Sequence, residues 1–129
     1  MRISSPEAMH QLGRDLAQKA KVLLLSGELG AGKTTLIKGF AEALGIDPEK
    51  VQSPTYAYLN LYDGKLLHID MYRLGSFEEL VEKGILSQIA ECEWVVIEWP
   101  KWIDQLDLEA PLQLEIEKIS ASEREVKGV

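Results

Sequence analysis

Residues 22–35 read VLLLSGELGAGKTT. The first four are apolar without interruption, the mark of a strand buried on both faces. The stretch that follows, Gly27-Glu28-Leu29-Gly30-Ala31-Gly32-Lys33-Thr34, matches the pattern G-x-x-x-x-G-K-[ST]. The spelling has a physical reason. Glycines let several backbone N–H groups turn toward one point, and a helix beginning near Lys33 adds the positive end of its dipole. Lys33 supplies a mobile cation for β- and γ-phosphates, and the Thr34 hydroxyl is placed to ligate Mg²⁺. Thr35 falls one residue late for that role and supports it. At average residue frequencies the pattern arises by chance in on the order of 0.5% of chains this long. A plain glycine turn between strand and helix is therefore the weaker reading.

Upstream, Ser4 and Ser5 followed by Pro6 and Glu7 spell a helix start, and Met9, Leu12, Leu16 and Ala20 recur at helical spacing. Downstream, Leu36, Ile37, Phe40, Ala41 and Leu44 form an apolar stripe, with Gly45 where a helix would stop. Residues 55–71 read as two strands around Asp63-Gly64, a pair suited to a hairpin turn that needs positive φ. Ser76 to Glu79 is a capping box, predicting a short helix to about Gly84. Residues 94–97, WVVI, form a second apolar strand with Glu98 at its end. Residues 112–119, LQLEIEKI, alternate as a half-exposed strand does, and residues 120–129 are either another edge strand or a polar tail. Parallel buried strands, each followed by a loop and a helix, predict an α/β sheet in a single domain spanning 1–129, with ligands at the carboxyl ends of the strands.

The composition is ordinary for a globular chain of 129 residues, at 46% hydrophobic and 27% charged. A net charge of −7 argues against wrapping nucleic acid alone, but leaves open work on nucleic acid through a basic partner. The one cysteine, Cys92, cannot form an internal disulfide and sits between acids, which raise a thiol pKa; a reducing compartment and an inert thiol follow. No basic-then-apolar leader and no apolar run of membrane-spanning length appear, so the expectation is a cytoplasmic protein.

A phosphate loop needs an acid at the end of a neighbouring apolar strand, to hold Mg²⁺ directly or through water, and Glu98 fits. Trp99 and Trp102 flank it, as packing residues or as a stacking platform. On a strand, His68 and Asp70 point to the same face. They are either a structural pair or part of a metal and water network. Arg73 either reaches a γ-phosphate or pairs with an acid. Residues 53–56, SPTY, carry Thr55 in a loop that is either a capped turn or a sensor of the γ-phosphate.

Taken in order, GELGAGKTT, SPTY, HIDMYRL and VIEWP resemble the TsaE (YjeE) family, small bacterial ATPases required for threonylcarbamoyladenosine in tRNA. The similarity runs from about Ser4 to Trp99 and weakens toward the C-terminus. It implies a three-layer P-loop NTPase fold with parallel central strands and additional antiparallel ones. It implies ATP or ADP with Mg²⁺ as cofactors, and the proteins TsaD and TsaB as partners. That pair transfers a threonylcarbamoyl group from an adenylate to an adenosine beside the anticodon. The family member's slow hydrolysis resets the complex, and tRNA is touched only through the partners. By motif, Gly27–Thr35 hold the nucleotide, with Lys33 and Thr34 on phosphate and metal. Glu98 is the Mg²⁺ ligand and catalytic acid, Asp70 the other functional carboxylate, and Thr55 part of a switch-like segment. Trp99 lies beside the nucleotide. Ser4, Ser5 and Arg124 are further candidates to approach it. The chain departs from the family in a tight turn at Asp63-Gly64 and a short C-terminal segment.

Two other classes fit a phosphate loop. A small-molecule kinase would need an acceptor pocket and an arginine-rich lid, whereas Arg2, Arg14, Arg73 and Arg124 are dispersed. A non-hydrolysing nucleotide switch would need ATP binding alone. The absence of a guanine-reading NKxD-like sequence favours ATP.

Overall fold

The computed structural model describes residues 1–54 and 57–129. Along the described chain run β1 (Arg2–Ile3), α1 (Pro6–Leu16), β2 (Val22–Ser26), α2 (Lys33–Ala43), β3 (Leu59–Tyr62), β4 (Leu66–Asp70), α3 (Phe77–Glu82), α4 (Ile85–Glu91), β5 (Trp94–Glu98), β6 (Leu112–Lys118) and β7 (Arg124–Lys127). The strands form one sheet in the order β1-β7-β6-β2-β5-β4-β3. Its centre, β6-β2-β5-β4, is parallel, while β3, β7 and β1 join antiparallel. This is the α/β class the apolar runs predict: a parallel sheet needs helices on both faces.

The two faces carry separate cores. Leu23 and Leu25 of β2 meet Met9, Leu12, Leu16, Leu36, Ile37 and Phe40 on the α1 and α2 side. Val22 and Leu24 meet Leu80, Ile85 and Ile89 on the α3 and α4 side. Hence the unbroken apolar spelling of 22–25, with both side-chain sets buried. β6 alternates instead, because Leu114 and Ile116 enter the α1 and α2 core while Gln113, Glu115 and Glu117 face outward.

Ser5 caps α1, its hydroxyl accepting from the Ala8 N–H at 3.1 Å. The helix then lies directly on α2. A β-carbon at Gly13 would sit 2.0 Å from the Leu36 carbonyl oxygen, and one at Gly39 would sit 1.9 Å from that of His10. Two glycines, one per helix, therefore let the backbones touch and bring the amino end of α2 under the sheet's carboxyl edge.

Asp63 and Gly64 both take positive φ, 54° and 67°, and the hairpin pairs Tyr62 with Leu66 and Asn60 with His68. Two elements go beyond the sequence reading. The short helix from Ser76 is followed, after Gly84 at φ +76°, by α4, whose Ile85 and Ile89 are buried one turn apart. At the other end, β1 pairs with β7, so residues 124–127 form an inner strand rather than an edge or a tail. Two residues are too few to show a period, which is why β1 leaves no trace in the pattern. No helix among the described residues is long and apolar enough to cross a membrane.

The helix contact makes a first prediction. Gly39→Ala forces a methyl group into backbone rather than into a yielding side chain. Overpacking of this kind costs about 2–3 kcal/mol. Thermal unfolding followed by circular dichroism should show Tm lowered by roughly 10 °C, whereas Gly30→Ala, with nothing within 4 Å, should be felt only through its positive φ.

Candidate functional site

Parallel register sets three strand ends level. Leu25 pairs with Glu98, and Glu98 with Asp70. The chain leaves β2 at Ser26, passes through residues 27–32, and enters α2 at Lys33. Gly32 caps that helix at φ +109°, a conformation L side chains rarely adopt. Gly27 passes so close to β6 that a β-carbon would lie 2.6 Å from the Ile116 carbonyl oxygen. Glu28, Leu29 and Gly30 form the exposed rim, and Ala31 is buried.

The Lys33 ammonium is folded back under the loop. It donates to the Gly27 carbonyl, lies 4.0 Å from Glu98 Oε1, and sits 4.3 Å from the centre of the Trp99 ring. Burial lowers its pKa from the ordinary value, and the charges of Glu98 and Asp70 pull the other way. A cation held with its charge disfavoured, beside two acids, is poised to accept an anionic ligand. Thr34, next on the helix, is exposed, and Thr35 is half-buried.

Glu98 is 4% exposed. Its Oε2 accepts from His68 Nε2 at 2.6 Å, and His68 Nδ1 lies 2.9 Å from the Tyr62 hydroxyl. The tyrosine oxygen in turn lies 3.1 Å from the Gln52 N–H. His68 and Asp70 do share a face, but the imidazole pairs with Glu98. Asp70 Oδ1 accepts from the Tyr72 N–H at 2.9 Å and shapes the turn that follows β4. Trp99 takes φ +54°, in the left-handed region, with its N–H on the Leu25 carbonyl at 2.9 Å. Its ring meets Tyr72 at 5.3 Å between centres. A bulky residue strained this way, beside a buried cation, is a feature of functional sites.

Thus Gly27–Thr34, Asp70, Glu98 and Trp99 come together. Ser5 caps α1 one turn before Met9, whose methyl group faces Gly32, while Ser4 is exposed at the same end. Arg124 reaches the back of the loop, donating from Nε to the Ala31 carbonyl at 3.0 Å and from Nη2 to Gly30 at 3.2 Å. Trp102 packs on Phe77, on the face away from α2. The Cys92 thiol is pushed up by burial and by Glu91. Thr55 lies outside the described residues. Tyr62 and Gln52 were not anticipated. The Asp63-Gly64 turn fixes the register that brings Tyr62 near His68, so the signal was present, but only once the turn type was known.

A strand, a glycine loop wrapping a lysine, a helix and an acid on the adjacent parallel strand define a P-loop fold. The model of the family "Threonylcarbamoyl adenosine biosynthesis protein TsaE" matches residues 3–126. The chain is 37% identical over 134 aligned positions to the tRNA threonylcarbamoyladenosine biosynthesis protein TsaE of Aquifex aeolicus, covering 97% of this chain and 91% of that one. It is 42% identical over 85 positions to the protein of the same name from Borreliella burgdorferi, covering 63% of this chain and 61% of that one. The crystal structure of Bacillus subtilis YdiB superposes with a TM-score of 0.67 at 30% identity, covering 98% of this chain and 80% of the other. The chain belongs to the TsaE family, named for the biosynthesis of threonylcarbamoyladenosine.

The buried ammonium gives a second prediction. A base whose folded pKa is lowered destabilises the fold fully below that value, and the effect fades as pH rises toward the ordinary 10.5. Lys33→Met should leave Tm unchanged or raised by up to about 3 °C at pH 7, with the difference from the parent shrinking by pH 10. Scanning calorimetry at the two pH values checks it.

Proposed function

We propose that this chain binds Mg²⁺-ATP at Gly27–Thr35, hydrolyses it slowly, and uses that cycle to reset a TsaB–TsaD transferase acting on tRNA. The observation that carries the reading is the buried Lys33 ammonium, set within 4.0 Å of Glu98 under a glycine loop. The loop's N–H groups and the amino end of α2 favour a polyphosphate. Lys33 supplies a cation for the β- and γ-phosphates, which would replace its bond to Gly27.

The donor set suits Mg²⁺. Among the described residues, no group of three or more His, Cys, Asp or Glu is arranged to hold a metal unaided. Mg²⁺ is commonly held by one or two carboxylates, a hydroxyl, waters and the substrate's own phosphates. Thr34 and Glu98 would hold it, with Asp70 near enough to Lys33 to share the field. Bound there, the metal neutralises charge on the phosphates. Glu98 or Asp70 orients the attacking water, and Trp99 flanks the nucleotide.

The acidic balance, −7 overall, fits a protein that reaches tRNA only through other proteins. Such partners place it in the cytoplasm. Against a kinase lid, Arg2 pairs with Glu123 and Glu125, and Arg14 with Glu42. Arg124 is engaged with backbone carbonyls.

Phosphate release from Mg²⁺-ATP should be slow for the purified protein and rise at least about tenfold with a TsaB–TsaD pair from the same organism. Glu98→Ala should still bind ATP and lose hydrolysis by about a hundredfold or more. An equally low rate with and without the pair would sink the partner-stimulated ATPase. Full tRNA modification supported by Glu98→Ala would make the chain a switch that needs binding alone.

A further inference from the structure

Glu98 is buried, acidic and set at the end of a strand, yet its carboxylate can rotate about its last side-chain torsion, which has broad wells. For an acid that must present one oxygen to a metal or a water, that freedom is a cost. A misplacement of about 1 Å at a reacting centre is worth as much as a hundredfold in rate.

The structure removes the freedom from one side. His68 is fully buried on β4, on the same face as Asp70, and its Nε2 is 2.6 Å from Glu98 Oε2. A carboxylate only accepts, so Nε2 carries a hydrogen. Nδ1 lies 2.9 Å from the Tyr62 hydroxyl oxygen, and that hydroxyl, with one hydrogen to give, also lies 2.9 Å from the Gln52 carbonyl oxygen. The Tyr62 oxygen accepts from the Gln52 N–H at 3.1 Å, while Asn60 Nδ2 donates to the Gln52 carbonyl at 3.2 Å. Every member is satisfied, and no buried side-chain N or O among the described residues lacks a partner. The line starts on the segment that leads into SPTY, crosses β3 and β4, and ends on Oε2. Oε1 is left toward Lys33.

We propose that His68 is a positioning residue for Glu98, and that Tyr62 acts through it. Together they tie the aim of the carboxylate to the backbone at Gln52. A displacement of the Gln52 backbone, by nucleotide or by a protein partner, then alters hydrolysis without touching the phosphates. The proposal rests on the reading of Glu98 as the acid of an ATP site. Outer hydrogen bonds of this sort are typically worth about 10–100-fold in metal affinity or activity.

Substitutions at His68 separate positioning from filling. Leucine fills space and donates nothing. Glutamine places an amide N–H where Nε2 stood. His68→Leu should lower kcat for ATP by about 10–100-fold with KM within about threefold, and His68→Gln should recover most of it. Tyr62→Phe should lower kcat by a smaller factor and add nothing to His68→Leu, because groups acting through one another are not additive. A second readout needs no turnover. The chain has two histidines, and ¹H–¹⁵N correlation of their rings in the nucleotide-free protein should show one with a slowly exchanging Nε2–H that is lost in Glu98→Ala.

A buried ring carrying its hydrogen on Nδ1, equal losses in the leucine and glutamine variants, or additive effects of Tyr62 and His68 would each overturn the proposal. Glu98→Ala keeps the two claims apart. If it abolishes hydrolysis while the His68 series is flat, positioning alone fails. If it hydrolyses normally, the reading of the site fails.

Discussion

The parallel pairing of β2 with β5, and of β5 with β4, is the constraint from which the rest follows. It holds Leu25, Glu98 and Asp70 at one level across three strands. Because the strands run the same way, their carboxyl ends open at one edge, where the loop after β2 must turn to start α2. Each chemical group is thereby supplied by a different strand end, as sheets of this type do at their ligand edge. An antiparallel β5 would put Glu98 at the opposite edge, far from Lys33. The helices enforce the arrangement. α2 can begin under the sheet's edge only because Gly13 and Gly39 let α1 pass against its backbone, so the apolar core and the placement of Lys33 are set by one packing contact.

The same geometry loads the site with opposed charges in little water. Lys33 is 8% exposed and Glu98 4%. Burial works against the ammonium, and the attraction of two carboxylates only partly offsets it. Trp99 adds an aromatic face to the cation and a left-handed backbone angle to the strain. These features run against stability and are tolerated because two cores lie beneath them. Their grouping at one edge is the physical mark of a site kept for binding rather than for folding.

Much of this was legible before any coordinates. The apolar run 22–25, the glycine spelling, the stripe of Leu36, Ile37 and Phe40, and the Asp63-Gly64 turn are local signals, and local signals survive in a linear text. Glu98 was legible because a phosphate loop demands an acid on the next strand. What stayed hidden depended on register. His68 on β4 sits two residues from Asp70, and proximity along the chain suggested that pair; the sheet instead sets β4 beside β5 and gives the imidazole to Glu98. Tyr62 enters only through the cross-strand offset of a hairpin. β1 is too short to carry a period. α4 was hidden by Gly84, which reads as a stop and also serves as the next helix's start.

The C-terminal strands, where resemblance to the family was weakest, turn out to stand behind the phosphate loop. Arg124 donates to the carbonyls of Gly30 and Ala31 from one side and to those of Ser120 and Glu123 from the other. A trans peptide is planar, with its C=O and N–H pointing opposite ways. The peptide whose carbonyl belongs to Ala31 faces Arg124, so its N–H, that of Gly32, is aimed away from the arginine. The preceding peptide spends its N–H, that of Ala31, on the Glu28 carbonyl at 3.1 Å and closes the turn. Gly27, meanwhile, is pressed against Ile116 of β6. The loop is thus shaped from its carbonyl side by β6 and β7, and the N–H of Gly32 faces outward because Arg124 holds the carbonyl behind it. That account gives an arginine distant in sequence a reason to sit at the loop that does not require it to touch a phosphate.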